Sequence, residues 1–287
     1  MTEISPALYR GGTGEPLVLL HGFTGAWNHW RPLLSDLSAR YEVIAPALAG
    51  HDGGKPLPAG TALNFTSSTD LLEEHLDELG LGTVHVVGNS MGGALALELA
   101  KRGRARSVVA LAPAGGWTPG DGEALRLARF FARQLRLTRA SASRMEAIVR
   151  RPKLRRLAFR DVMRRGDLLR PSEALEMTRS SLRCTVSDMV IDALRSDRED
   201  LSLVDLELIR CPVLLATPQF DRILPGERHA PRYRREIPGV EAISLAGCGH
   251  VPMWDGTALV LRTIRGFVDR HTAAVPASAA PAPLSSS

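Results

Sequence analysis

The sequence predicts an α/β fold, a mostly parallel central sheet flanked by helices and interrupted by one helical insertion. Three observations predict it. Short apolar runs alternate with stripes at helical spacing, the alternation stops for one long stretch, and a serine stands between glycines where a strand-like run becomes a helix-like one. Size permits it, since 287 residues with 44% hydrophobic and 23% charged side chains can bury a large core.

The elements follow in order. Leu17 to Leu20 has the make-up of a buried strand and leads to the stripe Trp27, Trp30, Leu33, Leu34 and Leu37. Val43 to Ala45 leads, through a glycine-rich loop, to Leu71, Leu72, Leu76 and Leu79. The β-branched run Val84 to Val87 precedes the small and long aliphatics of residues 94–100. Val108 to Leu111 ends in APAGGW, and the pattern resumes only at Val213 to Ala216, Ala242 to Leu245 and the stripe Leu259, Ile264, Phe267 and Val268. Residues 1–116 and 209–271 are therefore read as the core. Residues 117–208 hold helix formers at helical spacing, with breaks at Pro152 and Pro171, and read as a helical cap. An insertion after one strand of a parallel sheet emerges at the carboxyl edge, where open α/β sheets bind ligands. The end of the chain, residues 272–287 with AAVPASAAPAPLSSS, has too little apolar surface to offset its ordering entropy and is expected to be a disordered tail.

Composition narrows the function. No apolar run reaches the roughly 18 residues of a membrane span, and MTEISPALYRGG lacks a basic segment followed by an apolar one, so a soluble, cytoplasmic protein is expected. Cys184, Cys211 and Cys248 form no cluster of metal-ligand spacing, and neither metal nor cofactor is implied. The formal charge of +5 is unevenly spread: Arg126 to Arg170 carries 15 Lys and Arg against three acids. Solvated helix faces account for this most simply. The sharper reading is a positive rim that draws in an anionic small-molecule substrate; nucleic acid is not expected, because few aromatic residues interleave as stacking platforms.

The serine carries the chemistry. In VHVVGNSMGGALALELA, Ser90 sits at a strand-to-helix corner whose tightness requires neighbours without bulk, supplied by Gly88, Gly92 and Gly93. GNSMG fits the nucleophile elbow GxSxG. A serine hydroxyl is too weak a nucleophile alone and needs a base held by a carboxylate. From Leu17 through Val268 the chain resembles the α/β-hydrolase superfamily, serine hydrolases of carboxylesterase or meta-cleavage-product hydrolase type, in which nucleophile, acid and histidine follow in that order. Asp221, after the run PVLLATPQF, and His250, in LAGCGHVPMW, stand in that order in loops after strands.

The rivals fit less well. His75 lies in a helical stretch, His85 within a strand, and His229 and His271 in charged, surface-like segments. His21, in HGFTG, and His51, in AGHDGG, occupy glycine-rich turns; in proteins of this resemblance the HG histidine braces loops. Asp205 precedes its strand, and Asp255 lies only five residues beyond His250. The oxygen that becomes negative needs two donors, expected from the backbone N–H of Met91 at a helix start and of Phe23 in HGFTG. Trp117 and Trp254 are read as core before pocket.

The resemblance implies acyl chemistry without a cofactor. Serine at the elbow speaks against the epoxide hydrolases and haloalkane dehalogenases of the superfamily, which use aspartate there. Carboxylic ester hydrolysis is the leading expectation; thioester or C–C bond hydrolysis is the alternative, and a slow ligand receptor on the same fold is the reading from another class. Two departures blur the pocket: Val251 follows His250 where meta-cleavage-product hydrolases have tryptophan, and PALAGHDGG has Ala47 and Asp52 in place of the common DxxGxGxS form.

Overall fold

The computed structural model describes residues 2–272. Eight strands form one sheet in the order β1-β2-β4-β3-β5-β6-β7-β8. Its parallel part is built from β3 (Pro16–Leu20), β4 (Glu42–Pro46), β5 (Val84–Asn89), β6 (Ala105–Leu111), β7 (Val213–Pro218) and β8 (Glu241–Leu245). All six coincide with the apolar runs of the sequence. Sequence analysis missed β1 (Glu3–Ile4) and β2 (Leu8–Gly11), which pair antiparallel at one edge. Neither has an apolar run: β2 is LYRG, and its conformation comes from pairing with β4.

Alternation along each strand divides the core into two layers. Val18, Leu20, Ile44, Val86 and Val108 face one layer, covered by α2 (Phe65–Glu78), α3 (Met91–Lys101) and α9 (Gly226–Glu236). Leu17, Leu19, Val43, Val87 and Val109 face the other, covered by α1 (Arg31–Ser38), the short α10 (Pro252–Asp255) and α11 (Thr257–His271). The predicted stripes fill these layers: Trp30, Leu33 and Leu37 are fully buried on one side, Leu76 on the other. Burial of each such side chain contributes about 1.5–3 kcal/mol.

Between β6 and β7 the chain makes α4 (Glu123–Ser141), α5 (Met145–Arg150), α6 (Pro152–Phe159), α7 (Pro171–Arg183) and α8 (Ser187–Arg195), with no strand. Pro152 and Pro171 each open a helix, where the missing N–H costs nothing. The expected tail lies outside the described residues, Thr272 apart. Among the described residues no helix is long and apolar enough to cross a membrane. Cys184, Cys211 and Cys248 are free, with burial raising each thiol to about 11.

α9 also escaped the sequence reading, because GERHAPRYRRE is charged along most of its length. Its inner face buries His229, Ala230 and Tyr233, so His229 is not the surface residue its segment suggested. His229 Nε2 lies 3.0 Å from Glu123 Oε1, joining α9 to the first turn of α4. Burial raises the Glu123 pKa, but the hydrogen bonds from His229 and Arg126 outweigh it and bring the group down to about 2.

Two stability predictions follow from this packing. Because the folded-state pKa of Glu123 is depressed, its contribution is complete above about pH 4.5 and fades as pH falls towards about 2. Unfolding of wild type and E123Q across that range should show a stability gap that closes on acidification; a pH-independent gap would contradict it. A Cβ at Gly92 would stand 2.2 Å from the Leu20 carbonyl oxygen, whereas one at Gly266, in α11, meets nothing within 4 Å. G92A should cost about 1–3 kcal/mol, and G266A should stabilise by up to about 1 kcal/mol. Equal melting temperatures for these two variants would refute the packing argument.

Candidate active site

Ser90 stands between β5 and α3 with φ 57° and ψ −118°, a conformation that non-glycine residues rarely hold. Local hydrogen bonds impose it. The Ser90 N–H donates to Leu111 O at 2.9 Å, while its carbonyl accepts from Ala94 and Ala114 at 3.1 and 3.0 Å. The corner is tight: a Cβ at Gly88 would fall 2.0 Å from Gly92 O, and one at Gly93 would fall 3.0 Å from Pro113 Cα. Close backbone approach thus requires glycine at 88 and 92 and leaves little room for a side chain at 93.

Asp221 and His250 meet. Asp221 Oδ2 lies 2.7 Å from His250 Nδ1, and both side chains are almost wholly buried. The other carboxylate oxygen, Oδ1, accepts from the Ile223 and Leu224 N–H groups, each at 2.8 Å. Burial alone would raise the Asp221 pKa; the facing His250 and these hydrogen bonds hold it below the usual carboxylate value. The group is therefore an anion at neutral pH, aimed at the imidazole.

Ser90 and His250 line one cavity of about 490 Å³, although no hydrogen bond links the two side chains among the described residues. Its walls come from the loops after the strands and from the inserted helices, including Phe131 of α4 and Met177 of α7. A second cavity of about 100 Å³ also reaches Ser90 and is walled by Met91, Trp117, Leu127 and Leu194. Trp117 is thus both buried and cavity-lining, whereas Trp254 is half-buried and packs against the core. The N–H groups of Phe23 and Met91 donate to no acceptor in the chain among the described residues. The Phe23 ring stands edge-on to Phe131 at 5.0 Å, so the HGFTG loop touches the insertion directly.

The rivals have other work. Asp255 accepts the N–H groups of Gly249, Arg164 and Arg165, all at 2.8 Å, tying the His250 loop to the segment after α6. Asp205 sits in a left-handed turn ahead of β7. His21 accepts the Leu48 N–H through Nε2 at 3.1 Å and contacts Gly22 O through Nδ1, bracing two loops as expected. Burial and the neighbouring His51 keep its pKa well down. His51 is likewise lowered by burial, to about 4.

Two residues went unnoticed in the sequence. Asn89 donates through Nδ2 to His250 O at 2.9 Å and to Leu111 O at 3.2 Å, fixing the histidine loop to the elbow. His29 lines the cavity beside Ser90 and His250, with its Nδ1 buried and unpartnered among the described residues. Burial, then the positive charge that His250 can carry, lower its pKa to about 4. The signal for Asn89 was its place in GNSMG; His29, between two tryptophans in WNHW, gave none. Among the described residues no group of three or more His, Cys, Asp or Glu could hold a metal ion.

Comparison with known proteins identifies the family. Over 214 residues the chain is 33% identical to epoxide hydrolase EphH of Mycobacterium tuberculosis, covering 73% of this chain and 97% of that protein. A shorter match, 40% over 102 residues, is to 2-hydroxy-6-oxo-2,4-heptadienoate hydrolase of Pseudomonas putida, covering 34% of this chain and 37% of that enzyme. In three dimensions the chain resembles a thermophilic esterase from Thermogutta terrifontis, with TM-score 0.71 and 23% identity over 92% of this chain and 93% of that one. The model of the alpha/beta hydrolase family matches residues 17–263, and the chain belongs to that family.

Proposed function

We propose that this hydrolase cleaves a carboxylic ester through an acyl-enzyme on Ser90, His250 and Asp221. The observation that carries the reading is the 2.7 Å contact between Asp221 and His250, with that imidazole and the Ser90 hydroxyl in one cavity. His250 Nε2 takes the Ser90 proton as the hydroxyl attacks the carbonyl carbon. Asp221 keeps Nδ1 protonated and stabilises the imidazolium. The N–H groups of Phe23 and Met91 receive the oxyanion, each contributing roughly 3 kcal/mol of barrier lowering. His250 then protonates the leaving alcohol, and a water activated by the same base releases the acid. Residues 117–208 act as a cap that supplies the outer cavity wall.

The nucleophile separates this reading from epoxide opening. A carboxylate attacking an epoxide forms an ester that water can cleave. A serine would form an ether, with no carbonyl for water to attack. The chemistry of Ser90 therefore favours acyl carbon. The local match to the P. putida enzyme favours C–C bond hydrolysis as a second reading on the same three residues. Exposure of Ser90 to two cavities argues against a receptor without turnover.

A fluorophosphonate probe should label the wild type at Ser90 and leave S90A unlabelled. With p-nitrophenyl esters, S90A should lose at least about a thousandfold in kcat/KM, and D221N about 10³–10⁴-fold. Folded wild type that resists the probe, or S90A with undiminished ester turnover, would overturn the reading. A panel that adds a thioester, a vinylogous diketone and an epoxide identifies which bond is cleaved fastest.

A further inference from the structure

Eight of the eighteen arginines of the insertion are hydrogen-bonded locally through their side chains. Arg126 is hydrogen-bonded to Glu123, Arg139 to Asp188 and Arg170 to Glu173, and Arg155 caps three backbone carbonyls. One group is different. Arg133 of α4, Arg160 after α6 and Arg222 beside Asp221 all converge on Asp161, at 3.7, 3.8 and 3.7 Å. These separations exceed a hydrogen bond, and among the described residues the only side chain that donates one to Asp161 is Gln134, at 3.2 Å. Three guanidinium groups thus share one carboxylate without being satisfied by it.

Arg133, Arg160 and Asp161 lie in the wall of the cavity that holds Ser90 and His250. The smaller cavity at Ser90 has no charged residue in its wall. Asp161 is largely covered, whereas the three arginine side chains are more than half exposed, Arg133 resting over the Phe130 ring at 5.9 Å. Guanidinium donors form forked pairs with carboxylates, and a positive mouth raises the local concentration of an anion.

We propose that Arg133 and Arg160 form an anion subsite at the larger cavity, so that the preferred substrate carries a carboxylate on the portion held there. The uncharged portion occupies the small apolar cavity, with the scissile carbonyl between them at Ser90. Asp161 holds the guanidinium groups in position and limits the attraction. This rests on the ester-hydrolase reading for its geometry, but anion binding can be measured without turnover.

The test compares charged and neutral esters as a ratio, which cancels any general loss of fold or activity. One arm places the charge in the acyl part, p-nitrophenyl hemi-adipate against p-nitrophenyl hexanoate. The other places it in the alcohol part, para-carboxyphenyl hexanoate against phenyl hexanoate. In at least one arm the charged-to-neutral ratio of kcat/KM should fall about tenfold in R133Q/R160Q, drop similarly in high salt, and rise about threefold in D161N. A thermal shift by adipate alone, present in wild type and lost in R133Q/R160Q, reads the subsite independently of catalysis. Neutral esters left uncleaved by wild type would reject the ester reading while the adipate shift still decides the subsite. Ratios unchanged in both arms, or, where no ester turns over, an adipate shift that is absent or survives the double substitution, would overturn the proposal.

Discussion

The backbone at position 90 is the constraint on which the rest depends. A non-glycine residue at positive φ costs about 1–3 kcal/mol, and it persists because several bonds hold it at once. The Ser90 N–H reaches Leu111 on β6, its carbonyl serves both Ala94 and Ala114, and Gly88 and Gly92 let the strand end and the helix start touch. Relaxing Ser90 would therefore break contacts to a neighbouring strand, to the following helix and to the loop that begins the insertion. The same contacts place the hydroxyl at the sheet edge, and Asn89 extends them to the His250 loop. The corner that strains Ser90 also sets where its hydroxyl stands relative to His250.

Electrostatics around that corner are arranged to tolerate one new positive charge. In the proposed reaction His250 gains a proton, and its favourable partner is Asp221, kept anionic by the His250 contact and two backbone N–H groups. The unfavourable neighbour is His29. Burial lowers it to about 4, so it stays uncharged at neutral pH and does not oppose the imidazolium. His21, also held neutral by burial, spends both ring nitrogens on loop bracing. Three histidines near one edge thus differ in role through their surroundings.

The parallel strands were legible because they are buried on both faces and must be apolar along their length. The elbow was legible because close approach demands glycine, and the positions of Asp221 and His250 because ends of adjacent strands converge on one edge. What the sequence hid has equally physical reasons. β2 depends on pairing, and α9 buries one narrow face of an otherwise charged helix. Asn89 and His29 act through contacts with residues distant in the chain, which no local spacing encodes. The excess of arginine was plain in the composition. Which arginines remain unsatisfied depended on where each carboxylate fell after folding.

That last dependence separates chemistry from selectivity. In the proposed reaction, attack, proton transfer and oxyanion binding all draw on loops fixed to the sheet, whose strands are tied by hydrogen bonds along their length. The walls that meet the rest of a substrate come largely from α4, α6 and α7, held to the core through scattered contacts such as Phe23 with Phe131, Asp255 with Arg164 and Arg165, and Arg31 with Glu176. A change in those helices can reshape the cavity without moving Ser90, because no strand runs through them. Ser90 borders a large cavity with Arg133, Arg160 and Asp161 in its wall and a small apolar one, so in the proposed reaction a carbonyl at Ser90 is discriminated by what extends to either side of it. Differences between relatives with one fold and several reactions are then expected to concentrate in the insertion and at the elbow side chain, while the sheet stays constant.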